Sequence, residues 1–98
     1  MFVQVIDSRT SGSLEELQRL DDEWDRATEG RRTIRRSFLL QDRADPSHFV
    51  VLAFFDDVEA ARVNSELPET DTLAKTMMAQ AIGETTFTDF DLKEEKNY

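Results

Sequence analysis

The segment His48–Phe55, which reads HFVVLAFF, decides the fold of this chain. In a β-strand, successive side chains point to opposite faces of the sheet. One face of this segment would carry Phe49, Val51, Ala53 and Phe55, and the other would carry Val50, Leu52 and Phe54. A strand that is apolar on both faces is typical of a central strand that is covered on both sides.

Three other runs of the sequence predict strands. Residues 2–6, 34–41 and 85–92 are rich in β-branched and aromatic side chains. In the second run, Ile34, Phe38 and Leu40 would share one face, which Arg36 interrupts. Charged residues within such a pattern indicate an edge strand, where they discourage pairing with other chains.

A first helix is predicted to begin at Ser13, because Glu16 follows three residues later as in a capping box. Apolar side chains then recur at spacings of three and four, the spacing of one helix face. This stripe consists of Leu14, Leu17, Leu20, Trp24 and Ala27. We expect Gly30 to terminate the helix.

A second helix is predicted to begin at Asp56, with Val58 and Ala61 pointing inward. Pro68 should kink or break this helix near residue 67, because proline lacks the backbone N–H that a helix interior needs. The helical pattern then resumes, and Gly83 should end it.

This order of elements predicts an α+β, ferredoxin-like βαββαβ fold. Right-handed crossovers would place both helices on one face of a four-stranded antiparallel sheet with strand order 4-1-3-2. The prediction is a single domain over residues 1–98, with a short polar tail at 93–98.

The composition excludes several classes of function. The chain has 98 residues, 12 Lys and Arg, 21 Asp and Glu, a net charge of −9 and no Cys. Disulfides, thiolate metal sites and cysteine nucleophiles are therefore excluded, and the negative charge argues against nucleic-acid binding. No apolar run approaches the ~20 residues of a membrane span. We therefore expect neither nucleic acid nor a membrane as a partner, and we predict a cytoplasmic protein.

The sheet predicts self-association, because helices on one side leave the other side bare. A bare face with several large apolar side chains would expose a patch that monomers seldom tolerate. We therefore expect a homodimer with two sheets packed face to face, through one or other face of His48–Phe55. The alternative is a monomer whose own tail covers that face.

The run from His48 to Ala61 resembles the dimeric α+β barrel superfamily, and more narrowly the antibiotic-biosynthesis monooxygenase-like domain. The shared features are a doubly apolar strand, an aromatic-acidic step and a helix that opens with Glu-Ala; Asn64-Ser65 and Pro68-Glu69 are also similar to small actinobacterial proteins with this domain. The resemblance implies a dimeric barrel with a pocket between sheet and helices. It also implies a small apolar or aromatic ligand and, in the oxygenase branch, no cofactor.

Four residues are candidates for ligand binding: Gln4, Trp24, Asn64 and Arg36. Gln4 is the one polar group within its apolar run, while Trp24 and Asn64 are of the types that resemble the pocket residues of the oxygenase branch. Arg36 belongs to the one basic cluster, which could bind an anion. The alternatives are a core role for Trp24, a backbone-bonded or solvated role for Asn64, and ordinary salt bridges for the arginines.

Haem degradation, base catalysis by His48 and metal binding are disfavoured. The haem-degrading branch that the chain resembles in part uses an Asn on the first strand and a His on the second helix, where this chain has Gln4 and no His. His48 is a conceivable base, but we expect it at the surface without an oriented partner. Asp21 and Asp25 should lie together with Asp22 apart, as a solvated face and not a metal site.

Two functions remain open from the sequence. The first is a cofactor-free, monooxygenase-like or ligand-binding homodimer, without metal. The second is a non-catalytic dimerisation or regulatory module.

Overall fold

The computed structural model describes residues 1–98. The elements are β1 (Phe2–Arg9), α1 (Leu14–Ala27), β2 (Ile34–Gln41), β3 (His48–Phe55), α2 (Val58–Ser65), α3 (Pro68–Ala79) and β4 (Thr86–Asp91). The strands form one sheet in the order β2-β3-β1-β4 with antiparallel pairing throughout. The predicted α+β, ferredoxin-like sheet order is confirmed, with β3 internal and β2 at an edge.

One face of the sheet lies under the helices. Phe2, Ala53 and Phe55 form a buried cluster against which Ala60 and Ala61 of α2 pack. Phe49 on the same face of β3 is also buried. On this face of β3, Phe49, Ala53 and Phe55 are buried within the chain and Val51 is half-buried.

The opposite face of the sheet carries no helix, and we call it the helix-free face. The register of the strands assigns to it Val3, Val5, Phe38, Leu40, Val50, Leu52, Phe54 and Phe90. Three of these apolar side chains are strongly exposed, with exposed fractions of 44% for Phe38, 47% for Leu40 and 52% for Phe90. Of the β3 side chains on this face, Val50 and Leu52 are half-buried and Phe54 is buried.

The prediction that Ile34 shares a face with Phe38 and Leu40 is wrong. The pairing of β2 with β3 shifts register between Ile34 and Arg36. A β-bulge adds one residue to a strand and so reverses the alternation of its side chains. Ile34 therefore packs on the helix side, while Arg36 and the two later apolar residues lie on the helix-free face.

Helix α1 begins as predicted, since Ser13 accepts a hydrogen bond from the N–H of Glu16 at 3.1 Å. Leu17, Leu20 and Trp24 are buried, but Ala27 is exposed. The helix ends before Gly30: the cap is Thr28, whose N–H and hydroxyl both donate to the carbonyl of Trp24, at 3.0 and 2.7 Å. Gly30 lies in the following turn with a φ of +80° that favours glycine.

The predicted break at Pro68 is confirmed, because α2 ends at Ser65 and a separate helix, α3, begins at Pro68. Pro68 occupies the first turn of α3, where its missing N–H costs nothing. Helix α2 is capped by Asp57, and not by the predicted Asp56, because the Asp57 side chain accepts from the N–H of Ala60. Val58 is exposed instead of inward.

Candidate functional site

A groove of about 340 Å³ opens between α1 and α3, and we call it the α1–α3 groove. Its apolar lining includes Leu20, Trp24, Pro68 and Leu73, and two carboxylates, Glu23 and Glu69, stand beside them. The volume falls in the range of small-molecule sites, and the lining is mixed, because Glu23, Glu69, Thr72 and Thr76 are polar.

Trp24 is held in one position at this groove. The indole is buried, and its Nε1–H donates to the Thr70 hydroxyl oxygen at 2.9 Å. Because Trp24 is 8% exposed, only a small part of its ring surface reaches the groove. Its N–H is already used and offers no hydrogen bond to a ligand.

Both carboxylates at the groove are engaged by arginines. Glu23 accepts from Arg19 at 2.6 Å, and Glu69 accepts two hydrogen bonds from Arg31, at 2.5 and 3.2 Å. The hydrogen bonds from Arg31 hold the pKa of Glu69 below its usual value, so this group remains a carboxylate and a weak base. The groove is therefore better equipped to bind than to transfer protons.

Only Trp24 among the four predicted ligand residues lines the groove. Gln4 lies half-buried on the helix side of β1, opposite Ala53. Asn64 is buried, and its side-chain oxygen accepts from the backbone N–H of Thr33 at 3.1 Å. Arg36 lies on the helix-free face. The structure does not bring the four side chains together, and Asn64 has the backbone-bonded geometry that the sequence left as an alternative.

Arg36 stacks on two aromatic rings of the helix-free face. Its guanidinium carbon lies 4.9 Å from the ring centre of Phe54 and 5.8 Å from that of Phe38. The Nη2 atom also donates to Glu95 of the carboxyl-terminal tail at 3.1 Å. Such cation–π contacts let a charged residue border an apolar surface, so Arg36 marks one end of the exposed patch.

His48 has two oriented partners, so the prediction that it lacks one is wrong. Its Nδ1 lies 2.8 Å from the carboxylate of Asp42, and its Nε2 lies 2.7 Å from that of Asp7. The hydrogen bond with Asp42, followed by that with Asp7, raises the pKa of His48, and His48 in turn lowers the pKa of Asp42. We call these three residues the His48 cluster. The partner on β1 is visible only once the register of β1 against β3 is known.

The acidic residues of α1 also differ from the prediction. Carboxylate oxygens of Asp21, Asp22 and Asp25 all lie within 4.8 Å of one another, so Asp22 is not set apart. Burial, and then the charge of Asp25, raises the pKa of Asp21. A cluster of carboxylates on a regular helix does not by itself make a metal site, and we assign it no role.

The comparisons with known proteins identify the fold. No family model matches the chain, and no curated protein matches it. Among solved structures, an antibiotic biosynthesis monooxygenase superposes with a TM-score of 0.78 at 18% identity, covering 96% of this chain and 100% of that chain. SnoaB, a cofactor-independent oxygenase from Streptomyces nogalater, gives 0.79 at 17% identity, covering 96% and 94%.

This chain shares its α+β, ferredoxin-like fold with proteins described as antibiotic biosynthesis monooxygenases. Rv0793 from Mycobacterium tuberculosis shares it, with a TM-score of 0.74 at 14% identity over 99% of this chain and 100% of that chain. The fold class that the sequence indicated is thereby confirmed. No helix is both long and apolar enough to cross a membrane.

Proposed function

We propose that this protein is a homodimer, formed through the helix-free faces of two sheets, that binds one small aromatic molecule in the α1–α3 groove of each protomer. The observation that carries the assembly is the exposure of apolar side chains at both edges of the helix-free face: Phe38 and Leu40 on β2, and Phe90 on β4. A second copy presents the same apolar surface, so an isologous contact buries both at once.

The size of this surface supports the dimer. Eight apolar side chains from all four strands share the helix-free face. Covering several hundred Å² on each copy at ~25 cal/mol per Å² gives a driving force of order 10 kcal/mol, before the costs of association. This gain is not the net affinity: a micromolar Kd needs ~8 kcal/mol after the costs of association are subtracted, and Val3 and Phe54 are already buried within the chain.

The ligand follows from the lining of the groove. Trp24, Leu20 and Leu73 contribute apolar surface to the lining, and both carboxylates are paired with arginines. Flat apolar molecules gain most from such a site, because stacking and burial supply the affinity. We therefore infer a neutral aromatic ligand of one to three fused rings.

Trp24 is the only Trp of the chain, so its fluorescence reports on the groove directly. We expect anthrone, a hydroxyanthrone and naphthoquinol to change Trp24 emission saturably. Ala27→Leu narrows the groove from an exposed helical position and should weaken binding about tenfold, a loss of ~1.4 kcal/mol. The matched control Ala74→Leu lies on α3 outside the groove and should leave the affinity unchanged.

A second candidate is a cofactor-independent oxygenase, which the shared fold with SnoaB favours. The test is oxygen uptake with the same compounds, where oxidation of an anthrone CH2 to a carbonyl consumes one O2 and releases one water. Uptake that Ala27→Leu lowers together with binding would establish the oxygenase. Binding without uptake would leave a ligand-binding protein, and neither would leave the non-catalytic dimerisation module.

A further inference from the structure

The His48 cluster lies at one end of the helix-free face. Side chains alternate between the two faces along β3 and β1. His48 and Asp7 therefore point to the same side of the sheet as Val50, Leu52 and Val5. Asp42 follows β2 and pairs its backbone N–H with the carbonyl of His48 at 2.9 Å. The three side chains therefore lie next to the apolar residues of the helix-free face. A second copy that packs against those residues would contact the His48 cluster.

The hydrogen bonds of the cluster need a protonated ring. A neutral imidazole has one N–H and one lone pair, whereas imidazolium has two N–H donors. Both ring nitrogens of His48 face a carboxylate within 2.8 Å. Only imidazolium satisfies both Asp7 and Asp42, and loss of the proton turns one contact into a lone pair against a carboxylate.

One other charged group acts against the proton, because the charge of Arg9 lowers the pKa of His48, by less than the two carboxylates raise it. Arg9 pairs with His48 in the β1–β3 register, but its Nε donates to Asp45 in the turn that precedes β3, at 3.1 Å. Across β1 from Asp7 lies Thr86 of β4, which carries no charge. Asp7 and Asp42 are thus the groups that respond when His48 loses its proton.

Burial changes the free-energy cost of removing the proton from His48. The Asp7 side chain is 46% exposed, so water can solvate it when its donor is lost. A partner sheet on the helix-free face would exclude part of this water, and a carboxylate without a donor costs more in that setting. The dimer therefore holds the His48 proton more firmly than the free chain does, and linkage requires the proton to favour the dimer.

We propose that the His48 cluster makes self-association through the helix-free face pH-dependent, with dimers strongest where His48 is an imidazolium. This inference rests on the proposed homodimer. As the pH rises through the titration of His48, each dimer that dissociates releases protons, so the dimer Kd increases with pH.

The test is the dimer Kd measured by sedimentation at pH about 6 and about 9. We expect the Kd of the wild type to be about tenfold higher at the higher pH. His48→Gln, whose amide does not titrate, should remove most of this difference, and Asp7→Asn should reduce it, because the remaining partner Asp42 needs one donor only. If the wild-type dimer is too tight to dissociate, the same comparison is made with Leu52→Ala.

The matched control is Asp89→Asn, a carboxylate of the same sheet that lies opposite Gln4 on the helix side. It should keep the full pH dependence of the dimer Kd.

His48 is the only His of the chain, so NMR of its imidazole reports whether the ring titrates over the same pH range. A dimer whose Kd is unchanged across this range overturns the inference and leaves the homodimer standing. Absence of a dimer at every pH overturns both.

Discussion

The indole Nε1 of Trp24 donates a 2.9 Å hydrogen bond to the hydroxyl oxygen of Thr70, which joins α1 to α3 across the groove. The bond connects residues 46 positions apart, so it forms only when the two helices are docked. It fixes the indole, whose ring forms part of the groove lining. The α1–α3 groove thus depends on the hydrogen bond between Trp24 and Thr70, whose main role is to join the two helices.

Thr70→Val should destabilise the protein without closing the groove. The substitution preserves shape but leaves the buried indole N–H of Trp24 without an acceptor, at a cost of about 1–3 kcal/mol. Urea unfolding at fixed protein concentration measures this cost. The control Thr72→Val removes a hydroxyl that bonds a carbonyl of its own helix, and should cost less than about 0.5 kcal/mol.

Asn64→Ala should also lower the free energy of unfolding by about 1–3 kcal/mol, since the N–H of Thr33 loses its partner just before β2. The affinity of aromatic ligands should stay the same, because Asn64 does not line the groove. Ser65→Ala, at the exposed neighbouring position, is the control. A large loss of ligand affinity at unchanged stability would restore the role that the sequence suggested for Asn64.

Leu40 and Leu39 provide a matched pair for the interface. They are neighbours on β2, both exposed, and the register directs them to opposite faces of the sheet. Leu40→Glu should give a monomer, because it places a charge within the helix-free face, whereas Leu39→Glu should remain dimeric. Sedimentation velocity measures both. Equal effects of the two substitutions would contradict an interface on the helix-free face.

The stability of the single chain should fall with rising pH on account of His48. Its pKa is raised above the ordinary value of 6.5 by Asp42 and then Asp7. The stabilisation is complete below the unfolded pKa and is lost as the pH increases through the folded one. Unfolding of the monomeric Leu40→Glu variant between pH about 6 and about 9 isolates this effect from assembly, and adding His48→Gln should flatten the curve.

The sheet was predictable from the sequence because its signals are local. Alternation along His48–Phe55 identified the central strand, and the order of elements then fixed the neighbours. The face of Ile34 was mispredicted, because the bulge in β2 arises from pairing with β3 and leaves no mark in the strand itself. Asp57 and not Asp56 caps α2, and Asp56 instead pairs with Arg35 of β2, a contact distant in sequence.

The candidate site was less predictable, because it is made by contacts distant in sequence. Helical spacing placed Trp24 correctly on a buried stripe, but nothing local shows that Thr70 meets its indole. Asn64 and Gln4 were suitable residue types whose positions the pattern could not determine. Asp42 stands six residues before His48 across a turn, and that spacing was the one available indication of the cluster.

The mass of the wild-type protein in solution tests the central claim most directly. Light scattering on a column loaded at micromolar concentration and pH about 6 should report twice the 11.3 kDa mass of the chain, and Leu40→Glu should return it to a single chain. A wild-type particle of 11.3 kDa under these conditions would contradict the homodimer.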